Sequence, residues 1–135
     1  MDCIFCKIAN GEIPSNTVFE NDAFRVILDI APANPGHCLV LPKSHAADLF
    51  ELDEELAAQA HKVAKKVAAA VKKAVNADGI NIIQNNGAAA GQSVSHYHVH
   101  IVPRFTGDGV QLNKEGSALS DEKFAEIRDA IIAQL

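Results

Sequence analysis

The sequence predicts a single α+β domain built on a mainly antiparallel sheet. Three observations carry that expectation. Short apolar segments stand before and after one long amphipathic stretch, the links between several of them are of hairpin length, and 135 residues suit one domain with a sizeable core. Hydrophobic residues make up 48% of the chain and charged residues 21%, a globular balance and too apolar for a disordered chain. The expected boundaries are therefore those of one domain over residues 1–135, with no repeat or linker inside it.

Residues 1–16 open with the apolar and cysteine segment Cys3-Ile4-Phe5-Cys6-Lys7-Ile8, after which Gly11, Pro14 and Ser15 read as turn punctuation. Two short strands follow, Thr17–Glu20 and Ala23–Asp29, separated by a plausible turn at Asn21-Asp22. The prolines and glycine of Ala31-Pro32-Ala33-Asn34-Pro35-Gly36 demand a loop, because proline cannot donate to a ladder. Cys38–Leu41 reads as a buried strand stopped by Pro42. From Asp53 to Val75, Leu56, Ala60, Val63, Val67, Val71 and Ala74 recur three and four apart, the period of an amphipathic helix. Asp53 suits its N-cap, Glu54 and Glu55 its positive end, and Lys72 and Lys73 its negative end. A strand at Ile80–Gln84, a loop of small and amide residues over 85–93, a strand over Val94–Pro103 and a last helix from Ser120 complete the reading.

Charge and cysteine usage exclude several classes of function. The formal net charge is −5, and the only basic cluster, Lys62, Lys65, Lys66, Lys72 and Lys73, belongs to the solvated face of the long helix. A polynucleotide partner is therefore not expected, although a local pocket of imidazoles and amides can still bind a small anion. No stretch reaches transmembrane length and residues 1–8 lack a long apolar run, so no membrane association is expected. Three cysteines, an odd number, argue against a disulfide framework and fit a reducing cytoplasm.

His96, His98 and His100 stand on alternate positions, with Tyr97, Val99 and Ile101 between and behind them. On an extended strand that spacing sends three imidazoles to one face and the apolar side chains to the other. Such a row suits proton transfer, attack on phosphorus or metal binding. In the loop ahead of it, Gly87 and Gly91 permit turns that aim backbone N–H groups inward, while Gln92 and Ser93 add side-chain donors. At the other end of the chain, Cys3 and Cys6 form a Cys-x-x-Cys pair, which needs two more ligands to close a tetrahedral zinc site. A redox motif is the competing reading, but it expects a βαβ context that the sequence lacks. Cys38 is left over as a small buried hydrophobe.

The stretch from Gly91 to Pro103, with its His-φ-His-φ-His-φ-φ pattern (φ apolar), resembles the signature of the histidine triad (HIT) family of nucleotide hydrolases and transferases. Cys3–Ile8, Gly11-Glu12-Ile13-Pro14-Ser15, Leu28-Asp29-Ile30, Pro35-Gly36-His37, Leu41-Pro42-Lys43-Ser44-His45 and Asn85-Asn86-Gly87 look like segments of its bacterial branch, related to the nucleoside phosphoramidases. The resemblance runs from Cys3 to about Arg104 and implies a HIT-like domain. It implies that His98 is the nucleophile, attacking the α-phosphorus to form a covalent nucleotidyl-histidine that water then hydrolyses. It also implies that His100 binds phosphate oxygens in the transition state, that His37 supports the triad, and that Ser93 donates to the phosphate or leaving group. By the same resemblance Asp29 accepts both ribose hydroxyls, Ile30 receives the nucleoside, and Asn85 contacts the nucleotide, with Gln92 among the nucleotide-binding residues. His45 and His96 match the positions that join Cys3 and Cys6 around a structural zinc ion, and no organic cofactor is expected. Read from residue chemistry alone, His37 could as well be a loop histidine and Asp29 a strand-end polar residue.

The function that the resemblance implies is a cytoplasmic homodimeric hydrolase releasing a purine nucleoside monophosphate such as AMP. A dinucleoside polyphosphate hydrolase is an alternative, and so is a zinc-stabilised nucleotide-binding or interaction module with incidental turnover. Residues 105–120 carry no motif that bears on the choice.

Overall fold

A computed structural model describes residues 2–135. Five strands form one sheet in the order β1-β2-β3-β5-β4, with every neighbouring pair antiparallel. The strands are β1 (Thr17–Glu20), β2 (Phe24–Leu28), β3 (Cys38–Pro42), β4 (Gly79–Ile83) and β5 (Val99–Arg104). The turn between β1 and β2 is closed by Asn21, whose Oδ1 accepts from the Ala23 and Phe24 amides, the self-capping that favours Asn in turns. Helix α2 (Glu54–Ala74) and helix α3 (Asp121–Gln134) are capped by the Asp53 carboxylate and the Ser120 hydroxyl. The α+β class and the antiparallel sheet are as the sequence predicts, and no helix among the described residues is long and apolar enough to cross a membrane.

The sheet buries both faces, unequally. Phe24, Val26, Val40, Val99 and Ile101 face α2 and α3 in the main core, together with Val63, Val67, Val71, Phe124, Ile127 and Ile131. Ile27, Leu39 and Leu41 point the other way, against Phe5, Ile8 and Ala9. Period-two alternation puts His100, register partner of Leu39, on this second face. The lysines of α2 are solvent-exposed, as the charge pattern predicts, and Cys38 is fully buried with its thiol donating to the Gly36 carbonyl.

Two sequence expectations require correction. The apolar and cysteine segment ahead of the turn residues, to which the sequence assigns no element, contains a helix, α1 (Ile4–Ala9). Six residues are too few to display a helical period, and its N-cap is a thiol, Cys3 Sγ, which accepts from the Cys6 amide rather than a hydroxyl or carboxylate. The histidine strand is also shorter than Val94–Pro103: the ladder begins at Val99, so His96 and His98 precede it. Over 94–98 the backbone serves other partners, as where the Tyr97 amide donates to the Ala46 carbonyl.

Candidate active site and metal centre

Each imidazole of the row meets a different backbone or side-chain partner, and those partners decide what its ring can do. His98 is 5% exposed, and its Nδ1 donates to the His96 carbonyl at 2.7 Å. That bond places the single proton of the neutral ring on Nδ1 and leaves a lone pair on Nε2. Burial lowers the His98 pKa, which keeps the ring neutral and nucleophilic at pH 7. Phe5 meets His98 edge-on, centroids 5.0 Å apart, and His100 flanks it at 4.9 Å.

His100 is tied to a second histidine. The Ala33 amide donates to His37 Nδ1 at 3.0 Å, so neutral His37 carries its proton on Nε2. His37 Nε2 lies 3.0 Å from His100 Nδ1 and donates to it, which leaves the proton of His100 on its own Nε2. His100 therefore presents an N–H donor where His98 presents a lone pair. Burial, with the neighbouring His98 and His37, pushes His100 down to about 4, and burial lowers His37 as well. Asp29 stands beside them, Oδ2 3.5 Å from His37 Nε2, with Oδ1 accepting from the Ala31 amide. Asp29, His37 and His100 are close enough to suggest a metal site. The hydrogen bonds argue otherwise, because His37 cannot accept from Ala33 and also offer a lone pair at Nε2 without becoming an imidazolate.

His96 serves other chemistry. Its Nε2 donates to the Pro42 carbonyl at 2.9 Å, which leaves the Nδ1 lone pair aimed away from the sheet residues that hold it. Nδ1 lies 3.4 Å from Cys3 Sγ, 3.4 Å from Cys6 Sγ and 3.3 Å from His45 Nδ1, and Cys6 Sγ is 3.3 Å from His45 Nδ1. Ligands bound at about 2.0–2.3 Å around a tetrahedral ion stand roughly 3.3–3.8 Å apart. The two sulfurs and two nitrogens thus have both the chemistry and the spacing for a zinc-like cation. Burial, followed by the neighbouring Cys3, pushes the Cys6 thiol up to about 11, so a bound cation is what would hold it as a thiolate at neutral pH. Helix α1 carries Cys6, is capped by Cys3 and sets Phe5 edge-on to both His96 and His98.

The remaining sequence-predicted residues divide. Asn85 is half-buried beside Gly91, whose φ of +90° is one that glycine adopts freely. Ile30 is 76% exposed on the loop after β2. Ser93 is exposed and lines a cavity of about 430 Å³ with Asp2, Cys3, Ile4 and His45, on the cysteine side of the row. Gln92 needs correction as a donor to phosphate. Its Nε2 donates to the carbonyls of Ala47 and Val94, and its Oε1 accepts from the Gly87 amide, so the side chain is consumed in holding the loop. Residues that sequence reasoning missed are Phe5, Ala33 and Asn34. Only Phe5 left a signal, its place between the two cysteines.

The chain is similar to known proteins of one family. A model of the HIT domain matches residues 10–107. An uncharacterised HIT-like protein of Methanocaldococcus jannaschii is 44% identical over 128 residues, 93% of this chain and 98% of that protein. An adenosine 5′-monophosphoramidase of Schizosaccharomyces pombe is 45% identical over 104 residues, 77% of this chain and 75% of that protein. A Zn-bound histidine triad family protein from Mycobacterium smegmatis has a TM-score of 0.86 at 37% identity, covering 98% of this chain and 95% of that one. The histidine row, the fold and these relatives together make the chain a member of the HIT family.

Proposed function

We propose that the chain is a nucleotide hydrolase of the nucleoside 5′-monophosphoramidase type, releasing a purine nucleoside monophosphate such as AMP. The observation that carries this reading is the hydrogen bond from His98 Nδ1 to the His96 carbonyl, which leaves Nε2 of a neutral, buried imidazole as a free nucleophile. His98 Nε2 bonds to the α-phosphorus as the bond to the leaving amine breaks; the amine departs with the electron pair and takes up a proton. Water then cleaves the nucleotidyl-histidine and restores the imidazole. His100, whose ring centroid lies 4.9 Å from that of His98, would donate from Nε2–H to a phosphoryl oxygen, with its tautomer set through His37. Asp29 and Ile30 are assigned to the nucleoside, Asn85 to the phosphate or ribose region of the nucleotide, and Ser93 to the phosphate or leaving group; for Ser93 that role asks the 91–95 loop to turn its hydroxyl toward His98.

Zinc is the cation that Cys3, Cys6, His45 and His96 would hold. With four protein ligands it supplies a structural clip and keeps no open position for substrate. The Zn-bound relative supports this assignment. Metal analysis of protein purified without added zinc should find about one equivalent per chain, and less than about a tenth with the fold intact would refute it. A cytoplasmic homodimer belongs to the same proposal, and light scattering should then report twice the 14.4 kDa of one chain.

The test of the activity is a rate comparison on two substrates, an AMP phosphoramidate and a diadenosine polyphosphate. Faster turnover of the phosphoramidate is expected. Faster turnover of the polyphosphate would select the alternative hydrolase. Slow turnover of both with tight AMP binding would reduce the site to a binding module.

A further inference from the structure

The segment after β5, which carries no motif, is tied through one partly buried carboxylate to the loop that precedes His37. Asp108 accepts five hydrogen bonds: from Arg104 Nε and Nη2, from the Phe105 and Val110 amides, and from Asn34 Nδ2. Its bonds to Arg104 above all, then those to the two amides, hold its carboxyl well below the usual carboxylate range. Asn34 spends its second amide proton on the Pro103 carbonyl, at 3.0 Å. The side chain of Asn34 is thus bolted to the end of β5, the strand that bears His100. Its own carbonyl accepts from the His37 amide across Asn34-Pro35-Gly36-His37. Proline at the second position and Gly36 at φ +100° give a type II turn. Ala33, one residue earlier, supplies the amide that sets the His37 tautomer.

We propose that Asn34 and Asp108 are positioning residues for catalysis: by clamping the Ala31–Gly36 loop to β5 they hold the Ala33 amide on His37, and so keep the proton of His100 on Nε2. Neither touches the row. Their effect passes from Asp108 to Asn34, to the Ala33 amide, to His37 Nε2–H and finally to His100. Released from the clamp, His37 can turn from Ala33 and take the other tautomer, and His100 then loses the reason to present a donor.

The proposal rests on the hydrolase reading for its kinetic consequence, but its direct readout needs no substrate. Ring ¹⁵N spectra of histidine-labelled protein should give single Nε2–H tautomers for His37 and His100. In Asn34→Ala, and in the isosteric Asn34→Asp that sets one carboxylate against another, both rings should show mixed tautomers. The kcat on AMP phosphoramidate should then fall about ten-fold, with KM within about two-fold of the parent. The far-ultraviolet circular dichroism of Asn34→Asp serves as the check on folding. Unchanged ring spectra in a folded Asn34 variant, or mixed tautomers with an unchanged kcat, would overturn the proposal. Absence of turnover in the parent would instead remove the hydrolase reading, and the ring spectra would still decide whether the clamp sets the tautomers.

Discussion

The two ends of the histidine row are held by opposite backbone groups. At the His96 end the partners are carbonyls: that of Pro42 accepts a hydrogen bond from His96, and that of His96 accepts one from His98. Both rings are left with a bare lone pair, one beside two thiols and a third imidazole, the other beside His100. At the His100 end the first partner is an amide. Ala33 gives a hydrogen bond to His37, His37 gives one to His100, and the last ring is left with a proton to give. One residue type thus acquires three arrangements, a lone pair among thiols, a lone pair beside His100 and an N–H donor, according to whether a carbonyl or an N–H faces it. The ends differ in reach as well. The first is tied to α1 near the start of the chain, the second to the loop after β5 through Asn34 and Asp108.

Variants should separate the two ends by the size and kind of their effects. The largest is expected from His98→Asn, which keeps a polar group of similar size but no competent nucleophile. Hydrolysis of AMP phosphoramidate should fall by about 10⁴-fold or more, with AMP affinity measured by calorimetry within a few-fold of the parent. Cys3→Ser should act chiefly on stability. With one ligand lost and the α1 cap kept by the serine hydroxyl, a fall in Tm of about 10 °C by calorimetry is expected. Melting temperatures that match the parent's, with metal content unchanged, would detach the cysteine end from the fold. The Asn34 variants come next, with their smaller loss in kcat and no metal effect.

The smallest effect is a pH dependence of the row itself. The folded pKa of His100 is about 4 against an ordinary 6.5, so the unfolded chain takes up a proton over a range where the folded chain does not. The stability from this group is complete above about pH 6.5 and is lost as pH falls toward 4. Urea midpoints measured across that interval should decline with falling pH, and His100→Gln should flatten part of the decline.

Most of the fold was legible because apolar period announces long elements. The three- and four-residue spacing from Leu56 to Ala74 marks α2, and Asp53 caps it as expected. Helix α1 was not legible, since six residues capped by a thiol give no period. The candidate site's residues were named together from the alternation of His96, His98 and His100 and from the family resemblance, and the structure brings Asp29, His37 and His100, and Cys3, Cys6, His45 and His96, into two clusters. The placement of the proton on each ring was not written in residue types alone. It depends on the Pro42 and His96 carbonyls and the Ala33 amide, groups that every peptide unit carries and no motif marks. Gln92 shows the reverse failure. A side chain with donors beside the row looked available for phosphate, but its loop uses all of it.

The account rests above all on His98 Nε2 as the atom that bonds to phosphorus. Rapid acid-free quenching of the enzyme with AMP phosphoramidate, followed by intact-mass and peptide mass spectrometry, tests it directly. The account predicts one adenylyl group per active chain, located on the peptide bearing His98 and absent from His98→Asn. Steady turnover with no adduct at any quench time, or an adduct that persists in His98→Asn, would contradict it.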